Sequence, residues 1–224
     1  MNTKMAFIFY HYIQIIQWHF LGSFMTTISD IPQFKVSIVG SVSVGKTSIS
    51  YRLQQPVFSD DYKPTINAGF NTYRLVFEKK NIILQLWDTS GMEKYNSINQ
   101  IYYRGSDAAL IVYDQTDPSS AEKLEFWVDC VTEVVGANIV FVIIGNKDDL
   151  DNKIVNNDKI QRWAEENGYL FYLTSAKNGR GIDDMLMGLT RKLMERRNEN
   201  VDENFNSLMI KSNFDLKQNG WKCC

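Results

Sequence analysis

The sequence predicts an α/β fold, a mostly parallel six-stranded sheet with helices on both faces, and two observations carry that prediction. Past Pro32, short apolar and β-branched runs alternate with helical stretches, the order that builds strands joined by helices. Between the first run and the first helical stretch lies GSVSVGKTS, residues 40–48, which satisfies the phosphate-loop pattern G-x-x-x-x-G-K-[ST] in a strand–turn–helix setting. In such sheets ligands gather outside the carboxyl ends of the strands, where this loop falls.

The elements follow in order. Residues 5–25 are apolar and aromatic but interrupted by His11, Gln14, Gln17 and His19, whereas a spanning helix needs ~20 largely uninterrupted apolar residues. A signal peptide or anchor is therefore less favoured than a mispredicted start before Met25 or a disordered extension, and residues 1–33 are set apart as an N-terminal extension. FKVSIVG then alternates and breaks at Gly40, as a strand feeding a turn does. Further strand-like runs fall at 72–78, 82–88, 108–114, 139–145 and 170–174. Between Ser119 and Val135 a helical stretch puts Leu124, Trp127, Val128 and Val131 on one face, and Leu186, Leu189 and Leu193 repeat the pattern. Both stripes read as core. The domain is thus expected over 34–197. Residues 198–224 lose periodicity, are polar and mixed in charge, and read as a disordered tether ending in Cys223-Cys224.

Composition excludes more than it selects. Among 224 residues, 44% are hydrophobic and 22% charged, with a formal charge of −2, so no electrostatic footprint for nucleic acid is present. Three cysteines, two of them the last two residues, make no disulfide framework and favour a reducing compartment. Cys130 reads as a small buried residue.

The chemistry begins in the phosphate loop, whose nucleotide-binding candidates are Gly40, Val42, Ser43, Val44, Gly45, Lys46, Thr47 and Ser48. Backbone N–H groups of such a loop and of the following helix's first turn converge on phosphate oxygens, aided by the helix dipole. Lys46 would reach the outer phosphates, and the Thr47 hydroxyl would bind Mg²⁺. The base is selected by GNKDDL, residues 145–150, which places Asn146, Lys147 and Asp149 after a buried strand. A carboxylate accepts two hydrogen bonds from the N1–H and exocyclic amine of guanine, whereas adenine leaves it unmatched.

With TSAK at 174–177 closing the next strand, the chain resembles the small GTPases of the Ras superfamily and, within them, the Rab family. The likeness covers about 34–195 and the last two residues. It rests on GSVSVGKTS, YKPTINAGF, LWDTSGMEKY, IYYRGSDAALIVYD, GNKDDL and TSAK, with YYRGS and the terminal Cys-Cys indicating Rab. The wording of YKPT, IYYRGSDAALIVYD and NIVFVIIGNKDDL most resembles the early-endosomal branch.

That resemblance implies a P-loop NTPase small G domain binding GTP or GDP with Mg²⁺. It implies that Thr65 senses the γ-phosphate and completes the Mg²⁺ shell with Thr47, while Asp88 holds the metal through water. Gly91 would sense the same phosphate from the second switch, so that two segments order with GTP and relax with GDP. Phe58 matches the ring beside the guanine, and Ser175, Ala176 and Lys177 match the loop supporting the base. Phe70, Trp87 and Tyr102 match the apolar surface on which effectors dock. Lys46, Thr65 and Gly91 are the catalytic positions.

Three residues depart from the family. Met92 stands where relatives carry the Gln whose amide orients the attacking water, and positioning is most of what phosphoryl transfer requires. Val42 replaces a small residue beside the γ-phosphate, where it would crowd an arginine finger. Asn67 replaces a switch glycine, and nothing in the sequence explains it. The expected function is a Rab-type switch of vesicle or endosomal traffic with slow intrinsic GTP hydrolysis. The alternative is a GTP-locked or nucleotide-inert docking module. Expected partners are an exchange factor, an activating protein, prenyl-delivery and GDI-type chaperones, and trafficking effectors, for a protein monomeric in itself. Prenyl groups on Cys223 and Cys224 would hold it to the cytoplasmic face of endosomes or vesicles, cycling with the cytosol, since two chains anchor where one does not.

Overall fold

A computed structural model describes residues 31–55, 69–89 and 101–198. Its strands and helices fall in the unit Gln33–Cys224. In chain order they are β1 (Gln33–Val39), α1 (Lys46–Gln54), β2 (Gly69–Phe77), β3 (Lys80–Asp88), β4 (Ala108–Asp114), α2 (Pro118–Glu122), α3 (Leu124–Val135), β5 (Val140–Asn146), α4 (Asn157–Glu166) and β6 (Leu170–Leu173). A final helix, α5, covers 182–198 among the described residues.

The six strands form one sheet in the order β2-β3-β1-β4-β5-β6. Only the β2–β3 pair is antiparallel, from Gly69↔Asp88 to Phe77↔Lys80. All other neighbours run parallel, so the carboxyl ends of β1, β3, β4, β5 and β6 share one edge. Strand alternation supplies both cores: Leu110 and Val112 of β4 and Val142 and Ile144 of β5 join Ile49, Leu186, Leu189 and Leu193. The intervening Ala109, Ile111, Phe141 and Ile143 join Leu124, Trp127, Val128 and Val131. Burial on both faces explains why these strands read as continuous apolar runs. Cys130 is buried, as expected.

Two expectations need correction. The stretch 119–135 is two helices: Lys123, at φ −91 and ψ 5, leaves the helical region, and α3 restarts with Trp127 N–H on the Lys123 carbonyl at 3.1 Å. A 3.6-residue apolar pattern does not register one residue turning out of phase while the buried face stays aligned. β2 begins at Gly69, three residues before the predicted 72, because its ladder with β3 extends beyond its apolar alternation, with every second side chain exposed.

Candidate functional site

Four segments converge where the parallel strands end: the phosphate loop after β1, Asp88 closing β3, residues 146–150 at the end of β5, and 174–177 after β6. The loop is shaped by two glycines. Gly40 has φ +142, and a Cβ there would lie 2.2 Å from the Val112 carbonyl oxygen. Gly45, at φ +99, caps α1 without a side chain, and a Cβ there would meet Asn146 Nδ2 at 2.3 Å. Both positions combine left-handed backbone with a close approach that only glycine satisfies. Val44 is buried, whereas Val42 is 46% exposed.

Buried Lys46 donates through Nζ to the carbonyls of Gly40 at 2.9 Å and Ser41 at 2.7 Å. Its ammonium is thereby held at the entry of the loop, beside the first turn of α1. Thr47 Oγ1 donates to Asp88 Oδ2 at 2.6 Å. Asp88 is 3% exposed, and its Oδ1 is buried with no hydrogen-bond partner among the described residues. Burial raises its carboxyl above the ordinary value of 3.8, while the Thr47 hydrogen bond and the Lys46 charge pull it back down. A buried carboxylate oxygen without a partner, next to a hydroxyl, suits a small hard cation that keeps waters and phosphate oxygens as its other ligands. These residues therefore fit Mg²⁺, with Thr47 and Asp88 on its protein side.

At the base end, Asn146 links three segments. Its Nδ2 donates to the Val44 carbonyl at 2.9 Å, and its Oδ1 accepts from Ala176 N–H at 3.1 Å and from Thr174 Oγ1 at 3.4 Å. Asp149 Oδ1 accepts from Ser175 Oγ at 2.5 Å. Lys147 adopts φ 66 and pairs with Asp114 Oδ2 at 2.6 Å, while Asp114 Oδ1 accepts from Thr116 N–H and Oγ1, both at 2.8 Å. The structure thus brings Gly40, Val44, Gly45, Lys46, Thr47, Asp88, Asn146, Lys147, Asp149, Ser175 and Ala176 to one edge. Phe58, Thr65, Asn67, Gly91, Met92, Cys223 and Cys224 lie outside the described residues.

Two residues of this edge were not singled out in the sequence. Asp148, inside the acidic run 148–151 that could pass for a solvated loop, is 8% exposed and pairs with Lys153 at 2.7 Å and Arg180 at 3.0 Å. It anchors the turn 146–150 to the loop before α5. Asp114, the last residue of β4, orients Lys147. An acidic residue closing a buried strand was the available hint.

A second feature lies on β2 and β3. Phe70 is 52% exposed, with its ring centroid 5.0 Å from that of Trp87, and Tyr102 follows at 5.9 Å from Trp87. Phe70 and Trp87 are register partners, so strand pairing itself sets them side by side. Lys35 Nζ sits 4.6 Å from the Trp87 ring centroid, a cation–π distance.

The fold and this edge define a nucleotide-binding domain whose phosphate and base cradles are both present. Residues 35–195 match the Ras family. The chain is 38% identical over 162 residues to Ras-related protein Rab-21 of Dictyostelium discoideum, covering 72% of this chain and 76% of that protein. It is 37% identical over 163 residues to Rab-21 of Mus musculus, covering 72% and 73%, and 37% over 162 residues to Rab-21 of Geodia cydonium, covering 72% and 71%. The chain belongs to the Ras family of small GTPases. Within that family it is a Rab GTPase similar to Rab-21, with GTP or GDP and Mg²⁺ as its ligands. Among the described residues, no helix is long and apolar enough to cross a membrane.

Proposed function

We propose that this chain is a GTP-binding switch of endosomal or vesicle membrane traffic whose intrinsic hydrolysis is slow. The observation that supports the switch reading is the buried Oδ1 of Asp88, without a hydrogen-bond partner among the described residues, beside the Thr47 hydroxyl. A chain that had abandoned nucleotide and metal binding would have no reason to keep a desolvated carboxylate that a cation relieves. Retention of Asn146 and Asp149 in a connected base cradle also favours a working switch over an inert docking module.

In this reading Lys46 and the loop amides hold the phosphates, and Thr47 and Asp88 hold the metal. Bound Mg²⁺ supplies charge neutralisation on the outer phosphates. Asp149 reads guanine, supported by Ser175 and Ala176, with Phe58 beside the ring and Lys177 in the supporting loop. Thr65 and Gly91 sense the γ-phosphate. Phe70, Trp87 and Tyr102 present effectors with an aromatic face of the kind that concentrates binding energy. Cys223 and Cys224 carry the lipid that holds the protein to endosomes or vesicles, with exchange, activating and chaperone proteins driving its cycle.

Slow turnover follows from Met92. A thioether neither donates to nor firmly accepts from the attacking water, and water positioning worth ~1.4–4 kcal/mol corresponds to roughly 10- to 1000-fold in rate. Single-turnover hydrolysis by purified full-length protein, following bound GTP as it becomes GDP over hours, tests this. Met92→Gln is expected to accelerate it, and an unchanged rate removes the argument.

A further inference from the structure

α1 begins at the phosphate loop with Lys46 and Thr47, and six residues on, ~9 Å along the helix, Arg52 leaves its last turn. The Arg52 guanidinium does not end in solvent. Its Nε donates to the Ala176 carbonyl at 2.7 Å, and its Nη2 donates to the Lys177 carbonyl. Both carbonyls belong to the loop after β6. The peptide joining Lys177 to Asn178 is consequently bonded on both sides, because the Asn178 N–H donates to Ser175 Oγ at 3.2 Å. In a planar trans peptide the C=O and N–H point in opposite directions, so fixing one aims the other. Ser175 Oγ, with its lone pair engaged by that N–H, gives its proton to Asp149 Oδ1 at 2.5 Å. A continuous line of hydrogen bonds thus runs from guanidinium to peptide, to hydroxyl, to the Asp149 carboxylate.

We propose that Arg52 is a positioning residue for guanine recognition: through the Lys177–Asn178 peptide and Ser175 it orients Asp149, and it ties the base loop to the helix that carries the phosphate loop. A charged donor suits this role, since hydrogen bonds from guanidinium are stronger than neutral ones and its fork spans two adjacent carbonyls. The sequence gives no hint of it: a basic residue in the last helical turn already has a sufficient local explanation in the helix dipole.

The inference rests on Asp149 reading the base, and one experiment separates the two. Release of fluorescent GDP and of fluorescent IDP, whose base lacks the exocyclic amine, is measured from the full chain in Mg²⁺. Wild-type protein is expected to hold GDP longer than IDP, and equal rates overturn the reading of Asp149. Arg52→Ala is expected to speed GDP release roughly ten- to a hundredfold, the scale of one charge-assisted hydrogen bond. IDP release should rise several-fold less, narrowing the ratio, and Arg52→Lys should recover part of it. Should the alanine variant fail to fold, Arg52→Gln, which retains a neutral donor, carries the same ratio test. Adding Ser175→Ala to Arg52→Ala should give little further acceleration, because both act along one line. GDP and IDP release rising by the same factor, an unchanged GDP rate, or fully multiplicative effects of Arg52→Ala and Ser175→Ala would each overturn the proposal for Arg52.

Discussion

Replacing Asn146 with alanine removes one side chain and unpins three segments. Asn146 is 2% exposed, so no water substitutes for it readily. The Val44 carbonyl loses its 2.9 Å donor and the Ala176 N–H its 3.1 Å acceptor, both in buried surroundings. Leaving a buried polar group unsatisfied costs roughly 1–3 kcal/mol, so the two together amount to about 2–6 kcal/mol. The contact from Thr174 Oγ1, at 3.4 Å, is long enough to add little. Against a total stability of ~5–15 kcal/mol this is a large fraction. With a urea slope of about 2 kcal/mol/M, the unfolding midpoint should fall by about 1–3 M.

The assay is urea unfolding followed by tryptophan fluorescence at several GDP concentrations and extrapolated to none, because ligand binding adds its own stabilisation. An extrapolated shift below ~0.5 M, less than one orphaned group would cause, refutes the reasoning. Asn146→Asp sharpens the test. It keeps the acceptor for Ala176 N–H but sets a carboxylate oxygen against the Val44 carbonyl, so it should be no more stable than the alanine variant.

The remaining predictions follow from neighbouring geometry. Gly45→Ala would set a Cβ 2.3 Å from Asn146 Nδ2 at φ +99; a loss of ~2 kcal/mol should lower the melting midpoint by roughly 4–8 °C and weaken GDP binding, both measurable by calorimetry, and an unchanged midpoint would show that the loop tolerates a side chain. Asp88→Asn is expected to abolish the slowing of GDP release by Mg²⁺ while leaving release in EDTA near the wild-type rate; persistence of the Mg²⁺ effect would remove Asp88 from the metal site. Burial pushes the Tyr113 hydroxyl well above its ordinary value of 10.0, so the folded protein keeps a proton that the unfolded chain releases. This contribution to stability is complete below pH 10 and is lost as pH rises from there towards the raised folded value. Tyr113→Phe should therefore flatten the alkaline fall in stability above pH 10 while costing about 1 kcal/mol for the 2.6 Å bond to Asn157, and an unaltered alkaline slope counts against the assignment.

Most of the fold is legible because it rests on local periodicity. β4 and β5 are buried on both faces, so nearly every residue in them must be apolar, and the runs appear in the sequence as they do in space. The break at Lys123 is different in kind: one residue's dihedral angles ended a helix without disturbing the apolar face on either side.

What the sequence determined by itself was the chemistry of short contiguous motifs. The phosphate-loop pattern sets its glycines and Lys46 at fixed spacing, as expected where backbone amides and one ammonium would reach the same phosphate group, and N-K-x-D packs Asn146, Lys147 and Asp149 into one turn. What only the tertiary structure decided was how those motifs hold each other. The bonds from Asn146 to Val44 and Ala176 span 102 and 30 residues, Thr47 reaches Asp88 across 41, and Arg52 reaches Ala176 across 124. No pattern of neighbouring residues encodes such pairs. They exist because parallel pairing brings the carboxyl ends of distant strands to one edge, where buried polar groups must find partners among whatever the fold places beside them.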